Sequence, residues 1–506
     1  MSQTNEPTAT PDPPVRLNSD FAGATPEMAI DWPAQEYPSP EIVVLNDALA
    51  GELGLDPEWL RTPDGIDFLL GRSDPAPYRT VAQAYSGHQF GQFVPILGDG
   101  RALLLGEITD RDGSLRDIHL KGSGPTPFAR RGDGLAALGP MLREYLVSEA
   151  MHALGIPSTR SLAVIATGGR VQRERALPGA VLVRVAASHL RVGSFQFARA
   201  HCGDDVVKRL IDHAASRHYP DLLALPEDKR PLALFDAVAK SQANLVAAWL
   251  GAGFVHGVMN TDNITVSGET IDYGPCAFLD AHDPRAVFSS IDRQGIYAYG
   301  TQPRVLEWDL ARFTETLAPL YDADADRALA LAREHLSGFR KLVDGRILDT
   351  WKTKLGLDPG RDADSAAATA VAEEWLAMLG DDNPDHTLVH RALTDVAGGG
   401  DETALLGHFA DAARTKEWLG TWRGLSPDAG LMRRANPIYI PRNHLVEEAL
   451  AAAGSGDANE PRDLRPFDAL LARITAPYTP SGNPDDERYE RPAPPEFGEY
   501  TTYCGT

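Results

Sequence analysis

Read from the amino terminus, the first residues suited to gripping an anion are Gly98-Asp99-Gly100-Arg101, a glycine turn followed by a base. Lys121 then ends an apolar run, and Glu144 follows on a segment with helical spacing. Much farther along come the polar loop His256-Gly257-Val258-Met259-Asn260-Thr261-Asp262-Asn263 and the acidic turn Asp272-Tyr273-Gly274. Glycines let backbone approach phosphates, a lysine held by a glutamate grips phosphate oxygens, and an amide with a carboxylate can hold a divalent cation. In this order they are the parts of a kinase-like nucleotide site. One part departs. Kinases place an aspartate five residues before the metal-binding asparagine; here Asn263 stands at the asparagine position and Val258 at the aspartate position, so the nearest carboxylate is Asp262.

The elements that must position these residues read as a small sheet with one long helix, followed by helices. Phe93 to Ile96, Ala102 to Leu105 and Ile118 to Lys121, separated by Gly98-Asp99-Gly100 and Asp112-Gly113, predict an antiparallel meander. Gly139-Pro140 opens a helix with Leu142, Leu146, Ala150 and Leu154 on one face, closed by Gly155. Strands are expected at 161–166 and 179–186, and a strong helix at 232–250. The loop at 256–263 should feed a tight hairpin, Ile264 to Val266 and Glu269 to Asp272. Helices are expected near 306–320, 325–343, 365–379, 402–419 and 443–453. Prolines at 7, 11, 13, 14, 26, 33, 38 and 40 predict a loosely draped leader over 1–40 that adds little core. The Pro-rich stretch 477–506, with Cys504 near its end, reads as an extended tail.

Composition narrows the function classes. The 506 residues carry 48 Lys and Arg against 71 Asp and Glu, a net charge of −23 that repels polyanions, so nucleic acid is not expected as a general partner. A nucleotide would need local basic residues gathered in one pocket. Three cysteines, Cys202, Cys276 and Cys504, are too few for a disulfide framework and predict a reducing, cytoplasmic setting. The longest apolar stretch, Leu245 to Val255, falls short of the roughly 20 residues a bilayer span needs, so no membrane is expected.

Each candidate also has a plain structural reading. Gly98-Asp99-Gly100 also fits a simple hairpin turn. His256 reads as a structural histidine bonded to loop backbone, and Asp262-Asn263 as an Asx turn that the nearby Asp272 turns toward a metal site. On the helix, Glu144 and Glu149 are both placed among apolar neighbours, and periodicity does not choose which of them holds Lys121. His88 and Asn436 to Arg442 read as fold-specific packing.

The chain resembles the selenoprotein O family, the YdiU-like pseudokinases. The resemblance rests on Tyr85-Ser86-Gly87-His88-Gln89-Phe90-Gly91, Leu97 to Arg101, Leu120-Lys121-Gly122-Ser123-Gly124, Arg130-Arg131-Gly132-Asp133-Gly134, His256 to Asn263, Ile271-Asp272-Tyr273-Gly274-Pro275 and Asn436 to Arg442. It implies an α+β, protein kinase-like bilobal fold: a β-rich small lobe with one main helix (41–200), a helical lobe with the catalytic and metal loops (201–345), and a helical extension (346–476). The implied activity is transfer of AMP from ATP to Ser, Thr or Tyr hydroxyls of protein substrates, with Mg²⁺ or Mn²⁺. By position it implies Lys121 and Glu144 as an ion pair, Asp262 as base, and Asn263 and Asp272 as metal ligands. Gly98, Gly100, Arg101, Lys121, Asp133, Gly134, Arg184, Arg191 and Asp272 would line the ATP pocket. Family members in animals carry selenocysteine third from the end, where this chain has Cys504; Cys276 is the candidate partner for it. A true kinase or a non-catalytic nucleotide-binding regulator are the rival readings.

Overall fold

The computed structural model describes residues 15–73, 76, 78–360, 365–454 and 462–503. The first half is built on strands β1 (Ala29–Asp31), β2 (Glu41–Leu45), β3 (Val81–Gln83), β4 (Gly87–Gln89), β5 (Gln92–Val94), β6 (Ala102–Thr109), β7 (Leu115–Lys121), β8 (Ala136–Ala137), β9 (Arg160–Gln172) and β10 (Ala176–Ala186). An antiparallel sheet runs in the order β1-β3-β6-β7-β10-β9-β2, with β8 added beside β10. Val181, Leu182, Val183 and Val185 fill the centre of β10 because both its faces are covered.

Register places the chemistry. Lys121 pairs with Leu182 and His119 with Arg184, so with a side-chain period of two Lys121, His119 and Arg184 share one sheet face. The Leu138–Ala153 helix packs against β9 and β10. Its Leu142, Leu146 and Ala150 form one cluster with Val164, Leu182, Leu445, Val446, Phe467 and Leu470, so this helix is enclosed between the sheet and the C-terminal helices Asn443–Gly454 and Arg465–Ile474. A helix enclosed in this way must pair any charge it carries.

Three expectations need correction. The described part of the leader is folded: Phe21 and Met28 are buried, β1 joins the sheet, and Glu107 accepts the Asp20 and Phe21 N–H groups at 2.8 and 2.9 Å. Proline there begins an element instead of preventing one, since Pro26 opens a short 3₁₀ turn whose first position needs no donor. The Phe93 run does not enter the meander; β5 pairs with β4 in a separate hairpin, while β6 and β7 pair as expected. Finally, 264–272 forms no strand hairpin. Val266 N donates to Leu190 O and Thr270 N to Pro157 O, so each arm turns outward to a different neighbour.

From 204 onward the chain is mainly helical, with long helices at Arg230–Ala252 and Ala325–Lys354 that pack on each other. The helices from Ala366–Asp382 to Ala429–Ala435 build a second core around Trp375, Trp418 and Trp422. The tail over 477–503 holds short 3₁₀ turns at Pro484–Tyr489 and Pro495–Phe497 and an isolated bridge from Thr502 to Ser289, and Cys504 lies outside the described residues. No helix among the described residues is long and apolar enough to cross a membrane.

Candidate active site

Lys121, at the end of β7, donates to Glu144 Oε2 at 2.5 Å and also pairs with the Asp272 carboxylate. Arg184 approaches from β10, its Nε and Nη2 reaching Glu144 Oε1 at 2.9 and 2.6 Å, and its Nη2 stands 3.9 Å from Asp272. Two carboxylates and two cations therefore share one centre. Burial would raise the Glu144 carboxyl, but the Arg184 and Lys121 charges outweigh it and hold Glu144 ionised. Burial likewise opposes ionisation of Asp272, and the Lys121, Arg184 and Arg101 charges pull it well below the usual carboxylate range. Asp272 sits at φ +69°, a backbone region few non-glycine residues visit, where its ion pairs hold it.

The structure separates Glu144 from Glu149. Glu149, five residues on, accepts Arg160 Nε at 2.9 Å and Nη2 at 2.8 Å, together with Asn46 Nδ2 and Ser161 N. Glu144 is the partner of Lys121.

The loop 256–263 enters from the other side. His256 Nε2 lies 2.9 Å from Ile271 O, and Val258 N donates to its Nδ1, which gives it the structural role expected of it. Asp262 and Asn263 stand on a short 3₁₀ turn, Thr261–Asn263. Asp262 Oδ1 is buried without a hydrogen-bond partner among the described residues, and Oδ2 accepts from Gln89 Nε2 at 3.4 Å. Burial pushes its carboxyl up to about 6, against the pull of Arg191. Arg191 lies over the Tyr85 ring at 4.3 Å and donates to His189 O and Asp262 O. Lys121, Arg184, Arg191, Arg101, Asp262, Asn263 and Asp272 line one narrow cleft, which Gly100 and Tyr85 join to a wider one of about 650 Å³.

That wider cleft holds Gly98, Gly100, Asp133 and Gly134. Gly98 is packed under Phe128: a Cβ there would stand 2.3 Å from the ring, at φ +70°. Gly134, at φ +67°, meets the Gly124-Pro125 backbone in the same way. These glycines thus fit the turn to its own chain as well as facing the cleft. Asp133 is bound by Arg173 at 2.8 Å, which lowers its pKa. His88 is tied to Gln196, and Asn436 and Arg442 are buried in hydrogen bonds and ion pairs to Lys354 O, Asp280 and Asp385, matching their packing role.

Sequence reading missed several contributors. Asp99, inside the glycine turn, points inward to His119 Nε2 at 3.1 Å and Gln83 N at 3.0 Å, and His119 stacks on His189 at 4.0 Å. Tyr85 and Gln89 touch Arg191 and Asp262. They lie in a string already singled out, but no periodicity could connect Gln89 with a residue 173 positions away.

For a divalent cation the donors are hard oxygens. Asn263 gives its Nδ2 to Val258 O at 3.0 Å, which leaves its amide oxygen as the ligand atom, and Asp272 and the orphaned Asp262 Oδ1 line the same cleft. No group of three or more His, Cys, Asp or Glu suited to a metal occurs among the described residues. A cation here would keep mostly water and phosphate ligands, as Mg²⁺ does. The residues present fit such an ion.

Residues 16–475 match a family model described as protein adenylyltransferase SelO. A protein nucleotidyltransferase YdiU of Mycobacterium sp. (strain KMS) is 56% identical over 492 residues, covering 97% of this chain and 99% of its own length. Proteins of the same name in Pseudarthrobacter chlorophenolicus and Cereibacter sphaeroides (strain ATCC 17029) are 54% and 51% identical, covering 99% and 97% of this chain and 100% and 99% of their own lengths.

Proposed function

This chain belongs to the SelO family of protein adenylyltransferases, and we propose that it transfers AMP from ATP to Ser, Thr or Tyr hydroxyls of other proteins. It is a protein nucleotidyltransferase, with ATP as its substrate. The observation that carries the finer reading is the convergence of Lys121, Arg101, Arg184 and Arg191 on one cleft with Asp262, in a chain whose net charge is −23.

The acceptor oxygen attacks the α-phosphorus, the bond to the bridging oxygen of the β-phosphate breaks, and pyrophosphate leaves. Asp262 takes the hydroxyl proton; a carboxyl raised to about 6 is ionised at neutral pH yet basic enough to accept it. Charge develops on the leaving pyrophosphate, where guanidiniums stabilise it. Arg101 and Arg191 suit that task. Arg184, with Nε and Nη2 on Glu144, adds its charge while fixing Glu144, and Glu144 orients Lys121. Mg²⁺ or Mn²⁺, held by Asn263 and Asp272, would screen the same phosphate charge. Gly98, Gly100, Asp133 and Gly134 form the outer wall of the nucleotide cleft.

On this reading the sheet with its enclosed helix (41–200) and the helical region after it (201–345) are the two lobes of a kinase-like fold. The helical extension (346–476) and the tail complete it, and the enzyme acts in the cytoplasm. The test is incubation of the protein with ATP labelled at either the α or the γ phosphate. Label should reach protein from the α position alone. Transfer from γ would make it a kinase, and ATP binding without transfer would make it a regulator.

A further inference from the structure

We propose that the cavity between the Arg230–Ala252 and Ala325–Lys354 helices binds a small organic anion, an apolar body whose carboxylate or phosphate meets the amine of Lys354. The cavity measures about 430 Å³, within the range of small-molecule sites. Its apolar wall is supplied by Leu154, Ile156, Ala247, Ala248, Leu431 and Ala435. Lys354 lines it, is 4% exposed, and has no hydrogen-bond or ion-pair partner for its amine among the described residues. Burial holds its pKa down to about 7, and the carboxylate that also lines the cavity, Asp349, is paired with Arg346 at 3.6 Å.

A buried amine without a counter-charge is costly, and 71 acidic residues were available to supply one. An incoming anion would provide the missing partner. The surroundings hold the lysine in place. Gly251 lets the two helices approach, since a Cβ there would stand 2.6 Å from Thr350 Cγ2 and 3.7 Å from Lys354 Cδ. Asn436 Nδ2 donates to Lys354 O at 2.9 Å, so the buried asparagine of the Asn436 to Arg442 string anchors this helix end. Arg434, exposed at the mouth and without an ion-pair partner among the described residues, adds a second positive charge.

Thermal unfolding of the full chain, with saturating ATP to occupy the nucleotide cleft, tests the proposal with sodium hexanoate, phenyl phosphate and neutral hexanol as probes. Hexanoate or phenyl phosphate should raise Tm saturably, the first indicating a carboxylate ligand and the second a phosphate. Lys354→Met should weaken that binding by on the order of thirtyfold or more, while Lys354→Arg retains it. Ala248→Leu, which narrows the cavity without touching the amine, should weaken it as well. No saturable rise with either anion, an equal rise with hexanol, or undiminished binding by Lys354→Met would overturn the proposal.

Discussion

Two glutamates five residues apart on the Leu138–Ala153 helix carry the same chemistry to different ends. Both Glu144 and Glu149 are buried, and both face a guanidinium. Around Glu149 the circle closes: Arg160, Asn46 and Ser161 satisfy the carboxylate locally. Around Glu144 the circle stays open, because Lys121 is shared with Asp272 and the cluster borders a cleft that also holds the unpartnered Asp262 Oδ1. A closed charge cluster supports the fold, whereas an open one next to a cleft is available for a ligand. Burial alone does not distinguish them.

The sharpest way to break this contrast is Asp272→Ala, which removes both a proposed metal ligand and one partner of Lys121. It should abolish transfer of α-label while far-UV circular dichroism stays unchanged; wild-type transfer at saturating Mg²⁺ or Mn²⁺ would show that the open cluster is not the catalytic one. Next in size, Asp262→Ala should slow transfer about 10²- to 10⁴-fold by removing the base, read as a fall in kcat with ATP affinity nearly intact.

The two glutamates can then be set against each other. Removing one partner of a buried pair costs on the order of 3 to 5 kcal/mol, so Glu144→Ala and Glu149→Ala should both lower Tm. Only Glu144→Ala should also weaken ATP binding. In double-mutant cycles on ATP affinity, Lys121 should couple to Glu144 and simply add with Glu149. Coupling of Lys121 to Glu149 would reverse the assignment.

The smallest effect concerns a third carboxylate, Glu269, which has no ion-pair partner among the described residues. Glu269 accepts Ala187 N and Ser267 Oγ, and burial pushes it up to about 7 from the ordinary 4.5. The folded state thus keeps its proton to higher pH than the unfolded chain does. Its contribution is fully present below about 4.5 and lost as pH rises through about 7. Glu269→Gln should flatten the fall of Tm over that window, and an unchanged slope would remove Glu269 as its source.

Local pattern determined much of this molecule. The helix from 138 to 153, the paired runs ending at Lys121, and the long helix after 230 follow from turn residues and apolar spacing, which act over a few residues. Ordered motifs marked Lys121, Asp262, Asn263 and Asp272 as candidates because residue type limits chemistry. Tertiary structure alone decided the rest. It chose Glu144 over Glu149, since which side of an enclosed helix meets Lys121 depends on how the sheet and the C-terminal helices hold it. It turned the arms of 264–272 outward, because their hydrogen-bond partners, Leu190 and Pro157, lie far away in the chain. It folded the described part of the Pro-rich leader by burying Phe21 and Met28 against elements that the leader itself does not contain. It also brought Gln89 and Arg191 to Asp262, across separations at which sequence spacing carries no information about distance.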